Sequence, residues 1–389
     1  MKQMIRSKAS DQQPSRRNLL SSAGLGLGAL AGASLLSACS TVTPTGGAAA
    51  PAGGAGSAGT NNPAYDSAIK SLVNGRTVQL GWTPPILSEM FNQMEKAAFG
   101  RMAELEQTYG INWKWERSAP TGNFDAVEQQ VSIVRGWTAR KFDAVLVCTG
   151  ANFATMQDVY RQASSSGTRV FQFNQPVELY DEEKINTVSN IGYDNRWQSG
   201  YLAGTFIAKT LGGKGKIIQI MGPSGSDWSK ARQIGFEKAL RENPGLEVVG
   251  SADGGYLRDK GLNAAQDLLT RNRDINAIYG ENEDMALGAS QAVDAAGLKQ
   301  WDGQQGVVII GADGLLSGME SIAAGKLTAT VDVGSVDQGR SFIDAVFRSV
   351  VLGETVAKTI EVPTRVVTKD NVAAAKAYIE GAMRPAKSY

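Results

Sequence analysis

Short β-branched or apolar runs alternate with amphipathic stretches along most of this chain, and that alternation restricts its possible folds more than any other feature. The apolar runs fall at residues 77–82, 143–148, 169–173, 216–220, 246–249, 275–279 and 307–310. Stretches with helical spacing lie between them, as at 91–108, 125–139, 197–211 and 230–241. Strand followed by helix, repeated, predicts parallel sheets covered by helices on both faces. There are more such units than one sheet holds comfortably, so the expected fold is α/β with two doubly wound parallel-sheet lobes.

In such sheets a ligand sits beyond the carboxyl ends of the strands, where loops feed helix N-termini. Residues just after the strand-like runs are therefore the site candidates: Trp82 and Thr83, Thr149, Asn174 and Gln175, residues 224–228 with Trp228, Tyr256, Asn282 and Asp313. Amide, hydroxyl and carboxylate groups beside flat aromatic faces suit a small polyhydroxylated molecule, whose C–H faces stack while its hydroxyls hydrogen-bond. Each candidate has a plainer reading. Trp82, Phe91 and Tyr256 could be core, Asn282 and Asp313 could cap the helices that follow, and Lys230 could be a solvated helix residue. Residues 212–216 (GGKGK) lack the spacing of a phosphate loop and precede a strand, which fits a helix-ending turn.

Composition excludes several classes. The chain has 389 residues, 39 basic against 38 acidic side chains, two cysteines and no histidine. Without imidazole it lacks the commonest general base, nucleophile activator and transition-metal ligand, so neither a metal nor a cofactor is expected. Balanced charge without a long basic run argues against nucleic acid as a partner. A carboxylate-dependent glycosidase stays open, since it needs only two acids, such as Asp313 with Asp194 or Asp332. Cys148 follows a buried-strand pattern and reads as a small core residue.

The N-terminus carries a separate message. Basic residues (Lys2, Arg6, Lys8, Arg16, Arg17) precede an apolar, small-residue run over 19–36, and Leu36-Ser37-Ala38-Cys39 follows. That order reads as an export signal over residues 1–38, too short and Gly-rich for a membrane span. The last four residues resemble a bacterial lipobox, in which Cys39 is lipidated, and Ser15-Arg16-Arg17-Asn18-Leu19-Leu20 resembles a twin-arginine signal. Residues 40–64 are almost all Gly, Ala, Ser, Thr, Pro and Asn, so residues 39–75 are expected to form a flexible tether behind the lipid anchor.

From about Thr77 to Lys369 the chain resembles the ribose-type (type I) periplasmic sugar-binding proteins of ABC importers. The segment 280–289 (GENEDMALGA) is close to that family's "ND-MA-GA" stretch. It is followed in register by 310–314 (IGADG) and 325–331 (GKLTATV), and preceded by 190–195 (NIGYDN) and Gly235-Phe236. The resemblance implies lobes of 76–193 plus 334–363 and 194–333 plus 364–389, joined by three hinge crossings near Tyr193, Val333 and Pro363. It also implies that Asn282 and Asp313 bind hydroxyls, that Tyr256 and Phe91 stack on the ligand, and that Lys230 is the cationic contact, while Arg232 matches a position that could be purely structural. Asn174-Gln175 replaces the family's acidic-then-arginine pair, which puts ribose itself in doubt. Trp82 and Trp228 are additional aromatics expected at the cleft mouth. The implied function is a lipid-anchored receptor of the periplasm or cell surface that delivers a monosaccharide or sugar alcohol to an ABC permease without catalysis. A sensory receptor for a membrane kinase or chemoreceptor is the alternative.

Overall fold

The computed structural model describes residues 63–122, 124, 126–150, 153–175, 186–193 and 197–389. The chain opens with α1 (Pro63–Val73) and then runs β1 (Thr77–Thr83), α2 (Glu89–Tyr109), β2 (Asn112–Arg117), α3 (Val127–Ala139), β3 (Ala144–Val147), α4 (Gln157–Ser165), β4 (Arg169–Phe173) and β5 (Ser189–Tyr193). It crosses to α5 (Gln198–Thr210), β6 (Lys214–Met221), α6 (Asp227–Glu242), β7 (Gly245–Asp253), α7 (Arg258–Arg271), β8 (Ala277–Gly280), α8 (Glu283–Ala295), β9 (Val308–Asp313), α9 (Leu316–Ala323) and β10 (Ala329–Asp332). It returns as α10 (Ser335–Val346) and β11 (Thr359–Val362), then crosses again to β12 (Arg365–Thr368) and α11 (Val372–Ala382).

The strands form two six-stranded sheets, ordered β11-β5-β4-β3-β1-β2 and β12-β10-β9-β8-β6-β7. The first five strands of each lobe therefore share the doubly wound order 2-1-3-4-5, with the switch in strand order beside β1 in one lobe and β6 in the other. Every residue of β3 and β9 is buried, as a strand covered on both faces requires. All pairings are parallel except β10 with β12. That edge strand enters straight from β11 through Pro363 and Thr364, with no crossover helix to turn it parallel.

Lobe 1 packs around aromatic rings. Trp82 stacks on Phe173 at 5.7 Å, and Phe342 of α10 lies 5.5 Å from Phe173 and 6.4 Å from Trp115. The hinge is held where the second and third crossings meet. Arg365 bonds Asp332 at 2.8 Å and Asp337 at 3.0 Å, joining β12 to the start of α10. Gly334 between them has φ 68, and a Cβ there would lie 2.9 Å from Val362 and 3.0 Å from the Pro363 carbonyl. Only glycine meets both the backbone angle and the close approach.

Two boundaries differ from expectation. Residues 63–73 form α1 rather than part of a tether, because Ile69 and Val73, one turn apart, bury together and Tyr109 at the end of α2 bonds Asp66 at 3.1 Å. The last residues lie on lobe 1 rather than lobe 2. The Tyr389 ring packs on Phe99 of α2 at 5.6 Å, and its hydroxyl donates to Glu106 at 2.8 Å. The export signal, Cys39, residues 40–62 and the hinge crossing at 194–196 lie outside the described residues.

Candidate functional site

Loops at the carboxyl ends of both sheets line one small cavity. Lobe 1 contributes Phe91 from the first turn of α2 and Asn174 just beyond β4. Lobe 2 contributes Trp228 and Arg232 from α6, Tyr256 before α7, Asn282 before α8, and Asp313 at the end of β9. The cavity is about 40 Å³, room for a water or so at about 30 Å³ each. The lobes thus close on each other, and a larger ligand needs them to part.

Asn282 leaves β8 in extended backbone and caps α8, accepting from the Met285 N–H at 3.0 Å. Its amide donates to the Tyr256 carbonyl at 3.2 Å, which leaves one N–H and one lone pair for another partner. The capping alternative therefore holds, and it still leaves hydrogen bonds for a ligand. The hydroxyl end of the Tyr256 ring lies against Gly222, where a Cβ would fall 2.1 Å from the ring. Its hydroxyl is 3.2 Å from Ser226 Oγ, the cap of α6. Phe124, after β2, reaches across to Trp228 and Tyr256 with ring centres 5.4 Å from each. Trp228 Nε1 donates to the Asn174 carbonyl at 2.6 Å, a direct bond between lobes. Asn174 adopts φ 51, a region Asn tolerates, and its buried Oδ1 has no partner among the described residues.

Two expected residues lie elsewhere. Trp82 is fully buried in the lobe 1 core and does not reach the cavity. Its strand alternation places it on the face with Val78 and Leu80, under α2. Lys230 is exposed, and the cationic group in the cavity is Arg232 instead, one turn from Trp228 on the same face of α6. Positions i and i+4 share a helix face whereas i+2 points away, so this spacing was the signal that could have separated the two. Arg232 donates to Asp313 at 3.1 Å and to the Glu281 carbonyl. Burial pushes the Asp313 carboxyl up to about 6, with Arg232 opposing the shift. Phe124 and Asp284 also line the cavity and were not anticipated.

The two-lobed topology matches a known fold, and the family described as "Periplasmic binding protein domain" matches residues 80–355. The chain belongs to the periplasmic binding protein family. It is similar to the ribose import binding protein of Haemophilus influenzae, 38% identical over 148 residues, which is 38% of this chain and 48% of that one. It is also similar to a putative rhizopine-binding protein of Rhizobium meliloti, 30% identical over 250 residues, 64% of this chain and 78% of that one. The chain spans about half the length of the ribose import binding proteins of Haemophilus influenzae and Escherichia coli that it matches. A solved periplasmic solute binding protein from Actinobacillus succinogenes with bound D-allose superposes with a TM-score of 0.66 at 25% identity, covering 76% of this chain and 99% of that one.

This periplasmic binding protein also has a wider groove of about 870 Å³ between α2 and the C-terminal residues. Its buried carboxylate is already engaged: Glu95 accepts from Trp115 at 2.8 Å and from Arg117 at 2.9 Å. The interlobe cavity, with its free amide capacity, is the better site. No group of His, Cys, Asp and Glu among the described residues could hold a metal.

Proposed function

We propose that this chain is an extracytoplasmic receptor that captures a neutral monosaccharide or sugar alcohol between its lobes and delivers it to an ABC permease. One observation carries this reading: aromatic rings from both lobes, the unpartnered Asn174 Oδ1 of lobe 1 and the spare hydrogen-bonding capacity of the Asn282 amide in lobe 2 converge on a cavity where, among the described residues, the buried Arg232 guanidinium is matched by Asp313. A charge-matched site favours a neutral ligand, because a charged one would leave a buried ion uncompensated. The names of the ribose-binding relatives and the D-allose in the superposed structure support the same class. Asp332, a possible second acid for glycoside hydrolysis, is occupied by Arg365 and the Gly334 N–H, which supports binding without turnover. Lipid attachment through Cys39 rests on the sequence order at 36–39.

A thermal-shift screen of the chain against D-ribose, D-allose, other pentoses and hexoses, sugar alcohols and amino acids tests the assignment. At millimolar ligand and micromolar Kd, binding to the native state alone adds about 4 kcal/mol. A carbohydrate should raise Tm and be recovered intact. A shift with amino acids and none with carbohydrates overturns the ligand class, and recovery of a product overturns the receptor reading.

A further inference from the structure

Two buried carboxylates stand immediately on either side of Asn282. Backbone at Asn282 is extended (φ −129, ψ 173), so successive side chains alternate: Asn282 faces the cleft while Glu281 and Glu283 point behind it. Both glutamates are fully buried, and neither forms an ion pair among the described residues. Arg232 is the charged group nearest in effect to Glu281, and Asp313 to Glu283. Acids in such places are costly, and an apolar side chain of similar volume would commonly be no worse for stability alone.

Their hydrogen bonds show what the carboxylates do. Glu281 accepts from the Gly222 N–H at 2.7 Å, Ser229 Oγ at 2.6 Å and Gln219 Nε2 at 3.2 Å. Those donors bracket the loop and first turn of α6, which present Trp228 and Arg232 to the cleft. Glu283 accepts from the Gly314 N–H at 2.9 Å, the Leu315 N–H at 3.2 Å and Thr330 Oγ1. Its bonds fix the turn directly after Asp313, whose backbone has φ 145. The Glu283 carboxylate also occupies a notch at Gly318 of α9, where a Cβ would fall 1.1 Å from its oxygen.

We infer that Glu281 and Glu283 are positioning residues for the cleft, tying the Trp228–Arg232 loop and the Asp313 turn to the strand end that carries Asn282. Three strand ends are thereby held as one preorganised unit, which lowers the ordering cost of binding. This inference rests on the cleft being the ligand site, so its test includes a measurement without ligand.

Calorimetry with D-ribose and D-allose is run on the full chain and on Glu281→Ala, Glu281→Gln, Glu283→Ala, Glu283→Gln and Gly318→Ala, beside amide hydrogen exchange without sugar. Each Glu→Ala change should weaken sugar binding about tenfold, through lost buried hydrogen bonds. The Glu→Gln changes keep an acceptor oxygen and should recover most of that loss. Exchange should quicken over 222–229 in Glu281→Ala and over 313–316 in Glu283→Ala, each leaving the other loop unaltered. Gly318→Ala, ordinarily favourable within a helix, should weaken binding by displacing Glu283. A lowered Tm with unchanged Kd and unchanged loop exchange would assign both residues to stability alone and overturn the inference. If an alanine variant does not fold, the glutamine variants and Gly318→Ala decide: wild-type exchange and affinity throughout would reject positioning. If the wild-type chain binds neither sugar, that screen counts against the ligand reading, and the exchange pattern alone supports or rejects positioning.

Discussion

Arg232 and Asp313 form a buried pair whose side chains are each 6% exposed, and their charges largely cancel within the cleft. Removing Arg232 strips a hydrogen-bond donor from the site, whereas Lys230, on the solvent side of α6, offers the cleft nothing. Arg232→Ala should weaken carbohydrate binding by about 1–3 kcal/mol, while Lys230→Ala should change it by less than about 0.5 kcal/mol. Calorimetry on both variants checks this, and equal losses would return the cationic role to Lys230. The buried glutamates behind this pair set the pH response. Burial raises Glu281 to about 7 and Glu283 to about 8 from an ordinary 4.5, outweighing the hydrogen bonds that favour the charged forms. The native state then binds protons more tightly than the unfolded chain, so this stabilisation is complete below about pH 4.5 and is lost as pH rises through 7 to 8. Carboxylates lowered by ion pairs, such as Glu104 beside Arg340, act at lower pH, and the chain has no histidine to intervene. Tm should therefore fall between pH 5 and 8.5. At about 1.4 kcal/mol per pH unit, the loss from Glu281 is on the order of 3 kcal/mol. The Glu281→Gln, Glu283→Gln double variant should flatten the profile, and an equally steep slope in it would place the titrating groups elsewhere.

Helix α9 shows how one element can depend on the opposite lobe. Its N-cap, Leu315, has no side chain able to accept from the first-turn amides. Instead, Glu89 of α2 accepts from the Ser317 N–H at 3.0 Å and from its hydroxyl at 2.7 Å, and Gln93 accepts from the Leu316 N–H at 3.2 Å. Gln93 also donates to the Gly314 carbonyl at 3.0 Å. The capping is thus supplied across the lobe boundary, where a carboxylate also meets the positive end of the helix. The Glu89→Ala, Gln93→Ala double variant should lose about 1 kcal/mol per cap from the closed form. Its ligand should dissociate faster in stopped-flow measurements. Unchanged dissociation would mean that these bonds persist when the lobes part.

The described residues form two sheets with strand crossings between them and a cavity too small for a sugar, so ligand entry and exit require lobe movement. A ligand that contacts both lobes shifts the population toward the closed form by its greater affinity for it. Small-angle scattering should show a smaller radius of gyration at saturating ligand, and the fluorescence of Trp228, which bonds across the lobes, should follow the same transition. An identical scattering profile with ligand bound would reject hinge closure. For membrane attachment, palmitate labelling should be present in the wild type and absent in Cys39→Ala, and equal labelling in both would reject the anchor.

Strand and helix periodicity made the two-lobed α/β fold legible, because parallel strands buried on both faces must be nearly continuous apolar runs, as in β3 and β9. The rule that ligands lie beyond strand ends was enough to single out Asn174, Trp228, Tyr256, Asn282 and Asp313, all of which line the cavity. Local sequence could not assign Trp82, since its position near the end of the β1 run suits either the core or the cleft and the packing of α2 and α10 decided it. Nor could it show that Phe124 reaches two rings of the other lobe, that α9 is capped by α2, or that residues 383–389 return to lobe 1. Periodicity records which way a side chain points within its own element. Which surface it then meets depends on contacts between residues as far apart as Glu89 and Ser317, and only the assembled lobes bring those together.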